Sequence, residues 1–111
     1  MTGPVLVLGG TGEARSVAAL LVEADIPVVS SLAGRVSQPR LPVGDVRIGG
    51  FGGVDGLSRW LQDNHVRAVV DATHPFAATI TAHAVTACAV TDTPLLRLRR
   101  EPWVARAGDH W

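Results

Sequence analysis

The residues able to do chemistry gather in four short segments: GGTGE at 9–13, SSLAGR at 30–35, GGFGG at 49–53 and DATHPFA at 71–77. In the first, Gly9, Gly10, Thr11 and Gly12 let the backbone turn sharply and meet a ligand with no Cβ in the way. The amide N–H groups of a helix starting there suit a pyrophosphate. Gly10, Thr11 and Gly12 open a G-x-G-x-x-G pattern, but Arg15 stands where its third glycine belongs, and a purely structural strand-to-helix turn fits the same residues. In the second, Ser30 and Ser31 stand where NAD-binding domains carry an acidic residue that would repel a 2′-phosphate, and Arg35 follows closely. Hydroxyls and a guanidinium suit that phosphate, which favours NADPH as cofactor over NADH; the other reading has the serines capping a turn and Arg35 solvated.

In the third segment Gly49, Gly50, Gly52 and Gly53 surround Phe51, which either walls a planar ligand or tucks into the core. The fourth brings Thr73 and His74 to a strand end just before Pro75. His74 is the one histidine placed for chemistry. His65 and His110 read as solvated, and His83 lies in a helical stretch with no second ligand at metal spacing, so no metal site is expected.

Composition removes other chemistries. All ten basic residues are arginine, and there is neither lysine nor tyrosine. A Walker-type phosphate loop, a lysine Schiff base and the Tyr/Lys pair of short-chain dehydrogenases are therefore excluded within these residues. Ten basic against ten acidic residues leave no broad positive field for nucleic acid. Cys88, the single cysteine, has no disulfide partner and reads as a small buried filler in a reducing compartment. With no signal-like N-terminus and no apolar run near the roughly 20 residues needed to span a bilayer, the expectation is a soluble cytoplasmic protein.

The elements that must position these segments follow from periodicity. Val5 to Leu8 is an apolar run of strand length, and Ala14, Val17, Ala18, Leu21 and Val22 continue at helical spacing, with Thr11 as N-cap and Glu13 in the first turn. IPVVSSL (26–32) predicts a second strand, GRVSQPRLPVGD (34–45) a loop, and DVRIGG (45–50) a third strand. Val54, Leu57, Trp60 and Leu61 then mark a helix, RAVVDAT (67–73) a fourth strand, Phe76, Ile80, Ala84 and Cys88 a helix begun by Pro75, and TPLLRLR (93–99) a fifth strand. Strands alternating with helices predict one α/β domain over residues 1–111, a Rossmann-like doubly wound parallel sheet of about five strands with helices on both faces. Ligands bind beyond the carboxyl ends of such strands, where all four segments fall.

LGGTGEAR, SLAGR, IGGFGG and DATHPFA, in this order and spacing and followed by PLLRLRREPW and GDHW, resemble the N-terminal half of the precorrin-6A reductases of cobalamin biosynthesis. The resemblance implies an NADPH-dependent oxidoreductase that delivers hydride to a ring double bond of a large anionic tetrapyrrole, precorrin-6A. By position, Gly10, Thr11 and Gly12 would hold the pyrophosphate, Ser31 and Arg35 the 2′-phosphate, and Thr73, His74 and Pro75 would line the nicotinamide and macrocycle side. His74 is the candidate for substrate contact or proton supply, with water as its rival, and Arg40 is a candidate for the substrate carboxylates. The family continues into a second α/β lobe, whereas this sequence stops at Trp111. The expectation is therefore NADPH binding with poor reduction unless a partner lobe or a homo-oligomer completes the cleft, with Trp103 and Trp111 as apolar surface for that lobe. The alternatives are a non-catalytic NADP-binding module, either redox-sensing or a remnant of such a reductase, and a reductase or epimerase of another substrate on the same scaffold.

Overall fold

A computed structural model of the chain describes residues 3–9, 11–32, 43–73 and 78–98. In chain order the elements are β1 (Val5–Leu8), α1 (Gly12–Glu23), β2 (Val28–Leu32), β3 (Asp45–Ile48), α2 (Gly53–Asp63), β4 (Ala68–Asp71), α3 (Ala78–Thr91) and β5 (Leu95–Arg97). The strands form one all-parallel sheet in the order β3-β2-β1-β4-β5. The chain therefore winds outward from β1 through β2 to β3, then returns across the sheet to β4 and β5. Strand order reverses between β1 and β4, the switch point where open parallel sheets bind their ligands.

The alternating sides of each strand build two cores. Val5, Val7, Val28, Val70 and Ala72 pack with Ala14 and Ala18 of α1 on one face. Leu6, Leu8 and Val69 pack on the other with Leu57 and Leu61 of α2 and Ala84, Ala87 and Cys88 of α3. Such two-sided burial explains why β1 and β4 read as continuous apolar runs. The small side chains of α3 let it lie close to α2 and the sheet. Cys88 is the buried filler its sequence context predicts, and burial pushes its thiol up to about 11.

The described strands are shorter than the sequence pattern implies, for local reasons. Pro27 precedes β2, while Ile26 belongs to the α1–β2 connection, its amide donating to the Leu21 carbonyl. β5 begins only after Pro94, which has no N–H to give the ladder but accepts from the Val69 amide. Most of the predicted loop between β2 and β3 lies outside the described residues, as do Pro75 and Phe76 ahead of α3.

Thr11 performs its predicted capping role: its hydroxyl accepts from the Ala14 amide at 3.1 Å. The same hydroxyl donates to the Ala72 carbonyl at 2.7 Å, pinning the start of α1 to the end of β4 across the switch point. Thr11→Ala is expected to cost about 1–2 kcal/mol in urea denaturation, since it removes a cap and a long-range hydrogen bond together. Thr11→Ser should retain most of that stability, because the hydroxyl rather than the methyl makes both contacts.

Candidate functional site

The carboxyl edge of the sheet is stitched together by main-chain bonds. Gly9 N donates to Ser31 O at 2.9 Å, Ala72 N to Leu8 O at 3.0 Å and Gly49 N to Leu32 O at 2.8 Å. These bonds align the described ends of β1, β2, β3 and β4 in one row.

At the first turn the glycines divide by role. A Cβ on Gly9 would stand 3.3 Å from Leu32 Cδ2 and 3.5 Å from both Ala14 Cβ and the Ser31 carbonyl oxygen, so Gly9 serves close strand-to-helix packing. Gly12 is the first residue of α1 and is exposed; its nearest described neighbour to an added Cβ is the tip of Arg15, at 3.6 Å. Among the described residues neither backbone conformation nor crowding accounts for glycine there. As the first helical residue, its amide has no acceptor within the helix. The Thr11 hydroxyl proton is committed to the Ala72 carbonyl.

Ser30 and Ser31 stand on opposite faces of the sheet. Residues along a strand alternate between faces, so Ser30 shares the α1 side with Val28 while Ser31 lies on the opposite side. Ser30 is 1 % exposed, and its hydroxyl has no hydrogen-bond partner among the described residues. That is a core position two residues short of the strand end. Ser31, also buried, accepts from Arg47 Nη1 at 3.3 Å.

Arg47 organises the third turn. Its Nη1 donates to the Gly49 carbonyl at 3.1 Å and its Nη2 to the Gly50 carbonyl at 3.2 Å, while the guanidinium lies 3.9 Å from the centre of the Phe51 ring. Phe51 meets Trp60 edge-on at 5.6 Å and packs against the α2–α3 core. The two sequence readings of Phe51 thus resolve into a half-buried ring capped by arginine. Gly52 and Gly53 hold φ of +89° and +74°, which lets α2 start directly from the turn.

At the fourth turn Thr73 is tied to Asp71. The Asp71 Oδ1 accepts from the Thr73 amide at 3.1 Å and from the Thr73 hydroxyl at 2.6 Å, while Oδ2 accepts from the Thr81 hydroxyl at 2.7 Å. Asp71 is buried at the end of β4, and the network fastens that strand to the first part of α3. Sequence reasoning passed over Asp71, Thr81 and Arg47. An Asp two residues before a Thr at a strand end is an Asx-turn signal that points to Asp71. Nothing local points to Thr81, whose partner Asp71 lies on β4, or to the meeting of Arg47 with Ser31 of β2. Gly10, Arg35, Arg40, His74 and Pro75 lie outside the described residues, as do Trp103 and Trp111.

A five-stranded parallel sheet in this order, with a glycine turn leading into a helix at the switch point, defines the Rossmann-like class of α/β domains. A monomeric L-threonine 3-dehydrogenase shares that fold at 12 % identity, with a TM-score of 0.60 over 82 % of this chain and 34 % of its own. The sequence profile of the precorrin-6x reductase CbiJ/CobK family matches residues 4–111, and the chain belongs to that family. It is 60 % identical over 110 residues to a precorrin-6A reductase of Rhodococcus erythropolis, covering 96 % of this chain and 44 % of the relative. It is 32 % identical over 106 residues to a cobalt-precorrin-6A reductase of Salmonella typhimurium, covering 88 % and 38 %. A solved CobK precorrin-6A reductase superposes with a TM-score of 0.88 at 49 % identity, over 98 % of this chain and 43 % of that one. The chain thus spans less than half the length of these relatives. Among the described residues no helix is long and apolar enough to cross a membrane.

Proposed function

We propose that these residues form the dinucleotide-binding part of a reductase that uses NADPH to reduce a ring double bond of precorrin-6A. The observation that carries the reading is Gly12, a glycine at the switch point for which no described residue gives a reason to lack a side chain. A pyrophosphate drawn close to the start of α1 supplies that reason. The substrate assignment is supported by the names of the relatives, which are called precorrin-6A or cobalt-precorrin-6A reductases.

NADPH, when bound, supplies the hydride; the work of the chain is to hold and orient. The Gly12 amide and the positive end of the α1 dipole meet the pyrophosphate. Thr11 fixes that helix start against β4, so the donors are aimed before the ligand arrives. Ser31 and Arg35 face the adenosine ribose and its 2′-phosphate, and the Gly50–Phe51 turn flanks it. Thr73, held by Asp71, leads the chain into His74 and Pro75 on the nicotinamide and macrocycle side, where His74 contacts substrate or supplies the proton. Arg40 serves the substrate carboxylates.

Because the relatives are more than twice as long as the matched segment, we place the rest of the macrocycle site on a second lobe or a partner copy. The 111 residues alone are then expected to bind NADPH while reducing precorrin-6A slowly. Titration with NADPH and NADH, followed by absorbance of the tetrapyrrole on mixing, tests both parts. NADPH is expected to bind about tenfold or more tightly than NADH, through charge-assisted bonds to the 2′-phosphate. Binding of neither dinucleotide at millimolar supply would overturn the proposal. NADPH binding without spectral change, even when the remaining lobe is added, would leave a binding module in place of a reductase.

A further inference from the structure

We propose that the Arg47 guanidinium, seated on Phe51 between Ser31 and the Gly49–Gly50 turn, recognises the 2′-phosphate of NADPH and so sets the preference over NADH. The inference rests on the NADPH reading above and adds a specificity residue to it.

Position is the first support. Arg47 is registered beside Ser31, one residue from the carboxyl end of β2, where the adenosine ribose lies in Rossmann-like sheets. Its bonds to the Gly49 and Gly50 carbonyls show that the side chain runs on toward the carboxyl edge rather than back into the sheet.

Charge is the second. The described partners of Arg47 are a hydroxyl, two carbonyls and the rings of Phe51 and Trp60, and none is acidic. Partial burial lowers its pKa with no carboxylate among those partners to offset it. A cation held in this way gains from an anion brought to it. Of five N–H donors, the two on Nη1 and one on Nη2 are engaged by described residues, which leaves Nε–H and a second Nη2–H without a described partner and able to meet phosphate oxygens. Stacking on Phe51 fixes the plane of the fork beforehand, so little side-chain freedom is lost on binding.

Space is the third. A Cβ on Gly50 would meet no described atom within 4 Å, and the backbone of Gly50 is not among the positive-φ glycines. Like Gly12, Gly50 has no reason to be glycine among the described residues, and it adjoins the guanidinium. An approaching ligand accounts for both.

The test is calorimetric titration of the protein with NADP⁺ and NAD⁺, comparing wild type with Arg47→Gln, Arg47→Lys and Arg35→Gln. Arg47→Gln is expected to weaken NADP⁺ about tenfold or more and to leave NAD⁺ within about twofold, because only the former carries the phosphate. Arg47→Lys should fall between, keeping the charge and losing the fork. A merely structural arginine would weaken both dinucleotides together; that result overturns the inference, as does loss of the preference in Arg35→Gln alone. Equal affinities in the wild type would sink this inference and leave dinucleotide binding standing, whereas binding of neither would sink the function reading itself. Should Arg47→Gln fail to fold, a wild-type structure with 2′,5′-ADP decides: its 2′-phosphate on the Arg47 guanidinium supports the assignment, and a 2′-phosphate elsewhere overturns it.

Discussion

Gly12→Ala is expected to lower NADPH affinity about a hundredfold while leaving the fold intact or slightly more stable. The two halves of this result have separate causes. An added methyl meets only the flexible end of Arg15 at 3.6 Å, and alanine at an exposed first-turn position loses less entropy on folding than glycine, which is worth up to about 1 kcal/mol of stability. On the proposed dinucleotide reading the same methyl would occupy the approach to the α1 start and hold a pyrophosphate beyond hydrogen-bond reach of the amides. Gly9→Ala provides the contrast, because its methyl would sit 3.3 Å from Leu32 Cδ2 and force that side chain to shift, so any loss is expected in stability before binding. Calorimetric titration beside thermal denaturation reads both quantities. Wild-type affinity in Gly12→Ala would mean that the dinucleotide lies away from this turn.

Asp71→Ala is expected to destabilise the protein by about 2–4 kcal/mol in chemical denaturation, the largest loss we foresee for any single polar residue. One buried carboxyl group accepts from the Thr73 amide, the Thr73 hydroxyl and the Thr81 hydroxyl. Its removal strands those donors and leaves a small void at the β4–α3 junction. Part of the loss is returned, since a buried carboxyl no longer has to be desolvated. Asp71→Asn should cost less: its amide oxygen keeps the Thr73 bonds, and the Thr81 hydroxyl can rotate to accept from the new NH₂. A change under about 0.5 kcal/mol in Asp71→Ala would show that the network follows from the fold rather than holding it.

Much of this was legible along the chain because its causes are local. Val5 to Leu8 is apolar without interruption since both sides of β1 are covered, and Thr11 announces a helix because a hydroxyl at that place satisfies an amide three residues on. The alternation of such runs with helical spacing was enough for an α/β sheet wound in one hand. The two serines show where local reading falls short. Adjacent in sequence, they stand on opposite faces, and only one of them touches an arginine.

The order of residues by itself determined the elements and the capping of α1, since capping, turn geometry and apolar period act over a few residues. What the tertiary structure alone decided is which distant groups meet: Thr11 with Ala72, Asp71 with Thr81, and Arg47 with Ser31. Those pairings depend on strand order and register, which are set by packing of the whole sheet between its helices, and no short window of sequence carries that information.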